Sequence, residues 1–297
     1  MERGQTSLLA LDSAASFRPG VHLKGENAAP LIFAVTALSA ERLAGDLEPV
    51  AVAGNSLGWY TSLTVAGALS FADGLRLVTT MARLQGATGG GQLLYSLVDE
   101  SWRLDPEVAA TVRHALAEVN ARGAESFVAE SIRLGGHVVL AGTERGLAAL
   151  EGLLPRRQVG KRGFPFRLAG HGPFHTRLLE AVAARAAVEL ADLPLAWPRV
   201  TLIDGRGASH SPWSADPGEL RSYTLGTQVT TTFDFTAAVR VGLREFAPDV
   251  VVCLPPGRSL SAPVGHVMVA ERWRGIDAKD AFTAGGAVID GVALRPD

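Results

Sequence analysis

The stretch Ala51-Val52-Ala53-Gly54-Asn55-Ser56-Leu57-Gly58-Trp59-Tyr60 joins a short apolar segment to the start of an apolar helical segment. The junction, Gly54–Gly58, has the pattern G-x-S-x-G. This pattern is typical of a sharp strand-to-helix turn that exposes a serine hydroxyl at a helix N-terminus. Glycines on both sides are expected to relieve clashes in the strained turn. The stretch predicts a nucleophile elbow at Ser56, and an ordinary Gly-Ser turn is the alternative.

The composition is that of a soluble globular protein with a substantial core. The chain has 297 residues, of which 47% are hydrophobic and 20% charged, and its formal net charge is −2. This balance favours neither a nucleic-acid partner nor a membrane. The single cysteine, Cys253, excludes an internal disulfide and a cysteine-rich metal site. No signal-peptide pattern begins the chain, so we expect a cytoplasmic protein.

The order of predicted elements indicates an α/β protein with two units. Helical patterns at Ala29–Gly45 and Phe71–Gln85 surround the elbow. The next region predicts, in order, a strand at 92–98, a helix at 105–121, a hairpin at 127–141, a helix at 144–154 and a strand at 164–169. This β-α-β-β-α-β order is that of a ferredoxin-like unit. We therefore predict a core of residues 1–88 and 165–297 with a ferredoxin-like subdomain at 89–164.

The second half of the core predicts further alternation of helices and strands. Helices are expected at 176–190, 219–225 and 235–246, and strands at 199–204 and 249–254. Residues 1–27 are expected to be irregular, and the tail after His266 is weakly patterned.

A serine nucleophile needs a base within hydrogen-bond reach and a group that orients the base. His175 stands at the entry to a predicted helix directly after a strand, where the helix dipole lowers its pKa towards that of a neutral base. His171 lies four residues earlier in the same segment. The remaining histidines are expected to be structural or solvated; they are His22, His114, His137, His210 and His266.

Several segments together resemble the malonyl-CoA:acyl-carrier-protein transacylases and the acyltransferase domains of polyketide and fatty-acid synthases. The segments are Gly54–Tyr60, Ala66–Val78, Val139–Thr143, Gly172–Leu179 and Leu254–Gly257, and they follow the order and spacing of that family. The resemblance runs from about Ala29 to Gly265. It implies a hydrolase-like α/β core with a parallel sheet and an inserted ferredoxin-like α+β subdomain.

The resemblance also implies roles for individual residues. Ser56 would be the nucleophile and His175 its general base. The main-chain carbonyl of Gln228 would accept a hydrogen bond from the histidine, and the N–H of Leu57 would face an oxyanion. Implied substrates are acyl-CoA and the phosphopantetheine of an acyl carrier protein, with no permanently bound cofactor and no metal.

The chain departs from the family pattern at four places. It has no first strand with a Gly-Gln-Gly-Ser loop, of which Arg3-Gly4-Gln5-Thr6 is a faint echo. Asn55 replaces the usual histidine, and Trp59 replaces a small acidic residue. Met81 occupies the position of the arginine that clamps the malonyl carboxylate, and Arg83 lies two residues further on, facing another way on a helix.

These departures favour an acyltransferase for uncharged acyl groups. Met81 and Trp59 would form an apolar pocket floor, and Asn55 and Phe174 would also contact the substrate. An acyl-thioester hydrolase of the same fold is an alternative, in which water takes the acyl group. A catalytically degenerate carrier-protein partner is a third, non-enzymatic interpretation.

A basic run, Arg156-Arg157-Gln158-Val159-Gly160-Lys161-Arg162, lies on the last loop of the predicted subdomain. It indicates either a solvated loop or a docking patch for an acidic carrier protein.

Overall fold

The computed structural model describes residues 7–43 and 47–290. The helices are α1 Leu8–Asp12, α2 Pro19–His22, α3 Gly25–Leu43, α4 Leu57–Val65, α5 Phe71–Gln85, α6 Pro106–Asn120, α7 Glu144–Leu153, α8 Glu180–Glu189, α9 Pro217–Ser222, α10 Gln228–Thr230, α11 Phe235–Glu245, α12 Ser261–Ala270 and α13 Lys279–Gly285. Short 3-10 turns occupy Ala124–Ser126, Arg177–Leu179 and Trp273–Gly275, and a π-helical turn occupies Tyr223–Thr227.

The strands are β1 Ala51–Ala53, β2 Gly91–Ser96, β3 Val128–Leu134, β4 His137–Gly142, β5 Arg157–Val159, β6 Arg162–Phe164, β7 Phe166–Arg167, β8 Thr201–Ile203, β9 Ser209–His210, β10 Phe233–Asp234, β11 Val251–Cys253 and β12 Val288–Asp290. In the core, β1 pairs in parallel with β8, and β9 continues that sheet in antiparallel pairing. Strands β11 and β12 form a second parallel pair. The predicted α/β class with parallel strands is confirmed.

A five-stranded sheet has the order β10-β3-β4-β2-β7. Strands β2, β3, β4 and β7, with α6 and α7, follow the ferredoxin-like order that the sequence predicted. The fourth strand of this unit, Phe166–Arg167, lies just beyond residue 164 and pairs with β2. The boundaries 89–164, and the core segments 1–88 and 165–297 on either side, stay a prediction.

Side-chain caps explain why several helices begin where the sequence placed them. Asp105 accepts hydrogen bonds from the backbone N–H groups of Glu107 and Val108 at the start of α6. Ser70 and Thr143 cap α5 and α7 in the same way. Each cap satisfies amides that have no partner inside their helix, so it favours that starting point.

The two chain ends differ from the sequence prediction. Residues 7–27, expected to be irregular, contain α1, α2 and the start of α3. After His266, the chain completes α12 and adds α13 and β12, which pairs with β11. Helix α12 is buried over most of its length, so its apolar residues surround it and give no one-sided periodic signal. The helix predicted at 176–190 is divided into a 3-10 turn and α8.

Two predictions concern residues outside the described ranges. The faint echo at Arg3–Thr6 and the proposed helix stop at Gly45 both belong to them. Within the described ranges, no helix combines the length and the apolar character needed to cross a membrane.

Candidate active site

Ser56 lies in a tight turn between β1 and α4, as the G-x-S-x-G pattern predicts. Its backbone has φ 54° and ψ −109°, a conformation that costs free energy for a residue with a side chain. A Cβ on Gly54 would lie 2.1 Å from the carbonyl oxygen of Gly58, so residue 54 must be glycine. A Cβ on Gly58 would meet nothing within 4 Å. The steric need expected for both glycines therefore holds for Gly54 alone.

The structure brings Ser56, His175 and Gln228 together. Ser56 Oγ lies 2.7 Å from His175 Nε2, although the two residues are 119 positions apart in the chain. His175 Nδ1 lies 2.6 Å from the main-chain oxygen of Gln228. Because a carbonyl oxygen can only accept, Nδ1 carries the proton and the lone pair of Nε2 faces the serine hydroxyl. This tautomer is the one that a general base requires.

Two helix ends place opposite partial charges beside this pair. Ser56 and Leu57 stand at the N-terminus of α4, where unpaired N–H groups favour developing negative charge. Gln228 lies in the last turn of the helical segment that ends at Thr230, where carbonyl groups are negative and unpaired. An oxyanion beside Ser56 and a proton on His175 are both stabilised by this arrangement.

Burial is the main influence on the pKa of His175. The side chain is 4% exposed, and this desolvation lowers the pKa to about 4, against a smaller raising effect of the Gln228 carbonyl. The sequence prediction gave the same direction and assigned it to a helix dipole. The residue also has φ 55°, so both Ser56 and His175 have strained backbones.

The side chain of Gln228 makes two further contacts in the site. Tyr60 Oη donates to Gln228 Oε1 at 2.9 Å, and Gln228 Nε2 donates to the main-chain oxygen of Ser56 at 3.3 Å. Burial raises the pKa of Tyr60, which keeps its hydroxyl proton available for this bond. Gln228 thus connects the elbow to the histidine through both its side chain and its backbone.

Sequence comparisons found relatives of this chain among polyketide synthases and transacylases. A mycocerosic acid synthase-like polyketide synthase of Mycolicibacterium smegmatis is 26% identical over 237 residues, which is 79% of this chain and 10% of the synthase. The malonyl CoA-acyl carrier protein transacylase of Salmonella typhimurium is 29% identical over 167 residues, covering 54% of this chain and 48% of the relative. This chain is similar in sequence to the malonyl CoA-acyl carrier protein transacylases.

Solved structures show that this chain and the malonyl transacylases share a fold. The acyl-carrier-protein S-malonyltransferase of Burkholderia pseudomallei superimposes with a TM-score of 0.72 and 24% identity, over 87% of this chain and 79% of that one. A malonyl-transacylase solved in complex with a type II polyketide acyl-carrier protein gives a TM-score of 0.71 and 20% identity, over 96% of this chain and 82% of that one. No family model matches the chain. The chain spans about half the length of the curated transacylases that it matches.

Two residues expected to form the pocket floor have almost no accessible surface. Trp59 is 0% exposed and Met81 is 1% exposed, so neither lines an open cavity in this structure. Trp59 Nε1 donates to Thr224 Oγ1 at 2.9 Å, and the indole packs edge-on against Tyr223. These neighbours fix the position of Trp59, and the role of Trp59 and Met81 as an apolar pocket floor stays a prediction.

The other two expected substrate contacts keep some accessible surface. Asn55 and Phe174 are half-buried on either side of the catalytic pair, one in the elbow and one directly before His175. Asn55 Oδ1 is buried and has no hydrogen-bond partner within the described ranges. Their role in substrate binding stays a prediction.

Arg83 is paired on the surface. Its guanidinium forms an ion pair with Glu189 at the end of α8. To bind a substrate carboxylate, Arg83 would first have to release Glu189.

A polar cluster around the buried Asp204 was missed by sequence reasoning. Asp204, at the carboxyl end of β8, is fully buried and accepts hydrogen bonds from Arg206 Nη2 at 2.6 Å and His210 Nε2 at 3.0 Å. The ring of His210 lies 6.3 Å from that of Trp59. The available signal was an aspartate directly after an apolar strand. The cluster supports the position of Trp59 next to the elbow.

Of the two oxyanion donors that the transacylase resemblance implies, one lies within the described ranges. This donor is the N–H of Leu57, whose place at the start of α4 supports the role, which stays a prediction. Gln5, the faint counterpart of the transacylase glutamine, lies outside those ranges. Residues 7–43 and 47–290 contain no group of three or more His, Cys, Asp or Glu side chains placed to hold a metal ion.

Proposed function

We propose that this protein is an acyltransferase that moves an acyl group between the thiols of CoA and an acyl carrier protein through an acyl-Ser56 intermediate. The observation that carries the proposal is the hydrogen-bonded chain from Ser56 Oγ through His175 to the Gln228 carbonyl, located at a nucleophile elbow. The sequence similarity to transacylases supports thioesters as substrates. We place the enzyme in the cytoplasm, where its free Cys253 stays reduced.

In the first half-reaction, Ser56 Oγ attacks the thioester carbonyl carbon while its proton passes to His175 Nε2. The carbonyl oxygen becomes an oxyanion that faces the N–H of Leu57. When the C–S bond breaks, the imidazolium returns the proton to the departing CoA thiolate. The products are free CoA and an ester on Ser56.

In the second half-reaction, the carrier thiol attacks the ester carbonyl and its proton passes to His175 Nε2. The C–O bond then breaks, and the imidazolium protonates Ser56 Oγ. Thioester is exchanged for thioester, so no oxidant and no net energy source is needed. The Gln228 carbonyl stabilises the imidazolium less than an aspartate would, since it carries only a partial charge.

Intact-mass spectrometry after incubation with acetyl-CoA tests the proposal. One acetyl adduct is expected on the unmodified protein, and none on Ser56→Ala. Addition of holo carrier protein should remove the adduct and load the carrier thiol, because a thiolate is a better nucleophile than water. An adduct that persists in Ser56→Ala would contradict the assignment, and release of free acetate with no loaded carrier would contradict transfer.

The basic run lies on the β5–β6 hairpin and supplies a proposed carrier-docking surface. Arg156, Lys161 and Arg162 are exposed, and the Arg162 guanidinium lies 5.3 Å from the centre of the Phe166 ring. Arg157 has a structural role, because it donates to the main-chain oxygens of Ser96 and Val98. Reversal of charge should therefore avoid Arg157.

The double change Arg156→Glu with Lys161→Glu is expected to slow transfer to an acidic carrier protein at low salt. The effect should shrink as salt is added, since screening removes long-range attraction. The measurement is the rate of carrier loading by acetyl-Ser56 enzyme at several ionic strengths. Arg103→Glu with Arg113→Glu changes the net charge equally at exposed sites and should leave the rate unaltered. Equal rates for both double variants at low salt would leave the hairpin without a docking role.

A further inference from the structure

A chain of hydrogen bonds connects the ferredoxin-like sheet to the backbone just before His175. His171 Nδ1 lies 2.7 Å from Gln92 Oε1, and Gln92 Nε2 donates to Ser131 Oγ at 2.6 Å. Ser131 Oγ then donates to the main-chain oxygen of Phe174 at 2.8 Å. Gln92 and Ser131 are 1% and 0% exposed, so water cannot replace either partner. The sequence indicated none of these contacts.

The direction of donation along these hydrogen bonds is fixed by the last acceptor, the main-chain carbonyl of Phe174. The Phe174 carbonyl can only accept, so the single proton of the Ser131 hydroxyl must point at it. The Ser131 oxygen is then free to accept from the Gln92 amide, which in turn accepts from His171 Nδ1–H. All three bonds run from His171 towards the base, an arrangement in which each bond polarises the next.

Ser131 is also the extra residue of a β-bulge. The register of β3 against β4 is regular through Glu130 and resumes at Ile132, which leaves Ser131 between them without a partner on β4. Bulges redirect a side chain and are frequent beside active sites. Here the bulge accompanies a buried hydroxyl that contacts the loop of the proposed base.

We infer that Ser131 is a positioning residue that holds His175 in its strained, base-competent conformation. The peptide between Phe174 and His175 carries the carbonyl that Ser131 binds, and rotation of this peptide changes φ of His175. That φ is 55°, so without a restraint the peptide would relax towards negative φ and move the imidazole from Ser56. The inference rests on the proposed function of His175 and assigns a role to the sheet of the second unit.

Phosphonylation of Ser56 by a fluorophosphonate tests this inference without any acyl donor. The Ser56 Oγ–P bond forms, the P–F bond breaks, fluoride leaves, and the serine proton passes to His175. Ser131→Ala is expected to lower the limiting rate of labelling by about ten- to a hundredfold, because small displacements of a catalytic group have effects of this size. The reagent concentration that gives the half-maximal rate should not change, since Ser131 contacts the backbone next to His175 and not the reagent.

Ser126→Ala is the matched control, because Ser126 is a 2%-exposed serine of the same unit. It should retain the rate of the unmodified protein, and thermal unfolding should show both variants folded. Gln92→Glu is a second variant: a carboxylate draws the Ser131 proton away from Phe174, so a similar fall is expected.

Each remaining outcome has a distinct meaning. A limiting rate for Ser131→Ala or Gln92→Glu equal to that of Ser126→Ala overturns the inference. No labelling of the unmodified protein overturns the assignment of Ser56 and His175 instead. Normal labelling without acyl transfer overturns the proposed function and leaves the positioning role standing.

Discussion

His175→Ala is expected to slow acylation of Ser56 by acetyl-CoA at least about a thousandfold. The imidazole is placed with its Nε2 lone pair 2.7 Å from the serine oxygen, and alanine leaves the proton of the hydroxyl without an acceptor. The measurement is the rate of appearance of the acetyl adduct by rapid-quench mass spectrometry. His114→Ala, at an exposed position of α6, is the matched control and should retain the full rate. A rate within tenfold of the unmodified protein would show that another group removes the proton.

The same measurement across pH tests the burial of the base. A protonated imidazole has no lone pair, so the rate should fall when pH drops through the pKa of His175. Burial lowers that pKa to about 4 from its ordinary value, so the rate should stay level between pH 8 and pH 5. A fall centred near pH 6.5 would show that His175 is accessible to water when it reacts.

Malonyl-CoA is expected to acylate Ser56 about a hundredfold more slowly than acetyl-CoA. The resemblance places Met81 at the position of the carboxylate clamp, and burial of a malonyl carboxylate against a thioether would leave an anion without a partner. Acetyl-, hexanoyl- and malonyl-CoA should be compared side by side by the rate of adduct formation. Because Trp59 and Met81 are almost completely buried, acetyl-CoA should also react faster than hexanoyl-CoA.

Arg83→Ala tests whether Arg83 binds the malonyl carboxylate in place of the missing clamp arginine. Arg83 is paired with Glu189, so its removal should leave the malonyl rate unchanged. A malonyl rate that exceeds the acetyl rate and falls in Arg83→Ala would identify Arg83 as the clamp and refute the preference for neutral acyl groups. Met81→Arg, which the sequence alone suggests as a gain-of-clamp variant, places an unpaired cation in the core and is expected to destabilise the fold.

The elements that depend on neighbouring residues could be predicted from the sequence. The turn at Ser56, the cap at Asp105 and the ferredoxin-like order of β2 to β7 follow from local spacing, and each is present. The sequence pattern itself indicated Ser56 and favoured His175, with His171 in the same segment, whereas the role of Gln228 came from resemblance to a family. The catalytic roles of these residues stay predictions until they are measured.

Only the tertiary structure decided the contacts between distant segments. Ser131 is 43 residues from the carbonyl that it binds, and Trp59 is 165 residues from Thr224, which fixes its indole. Periodicity reports which face of an element is apolar, but not which polar side chain on another element will meet it. The burial of Trp59 against Tyr223 and the hydrogen bond from Ser131 to the Phe174 carbonyl depend on how these distant segments pack. The sequence determined that a serine is presented at a turn, whereas packing decided what surrounds it.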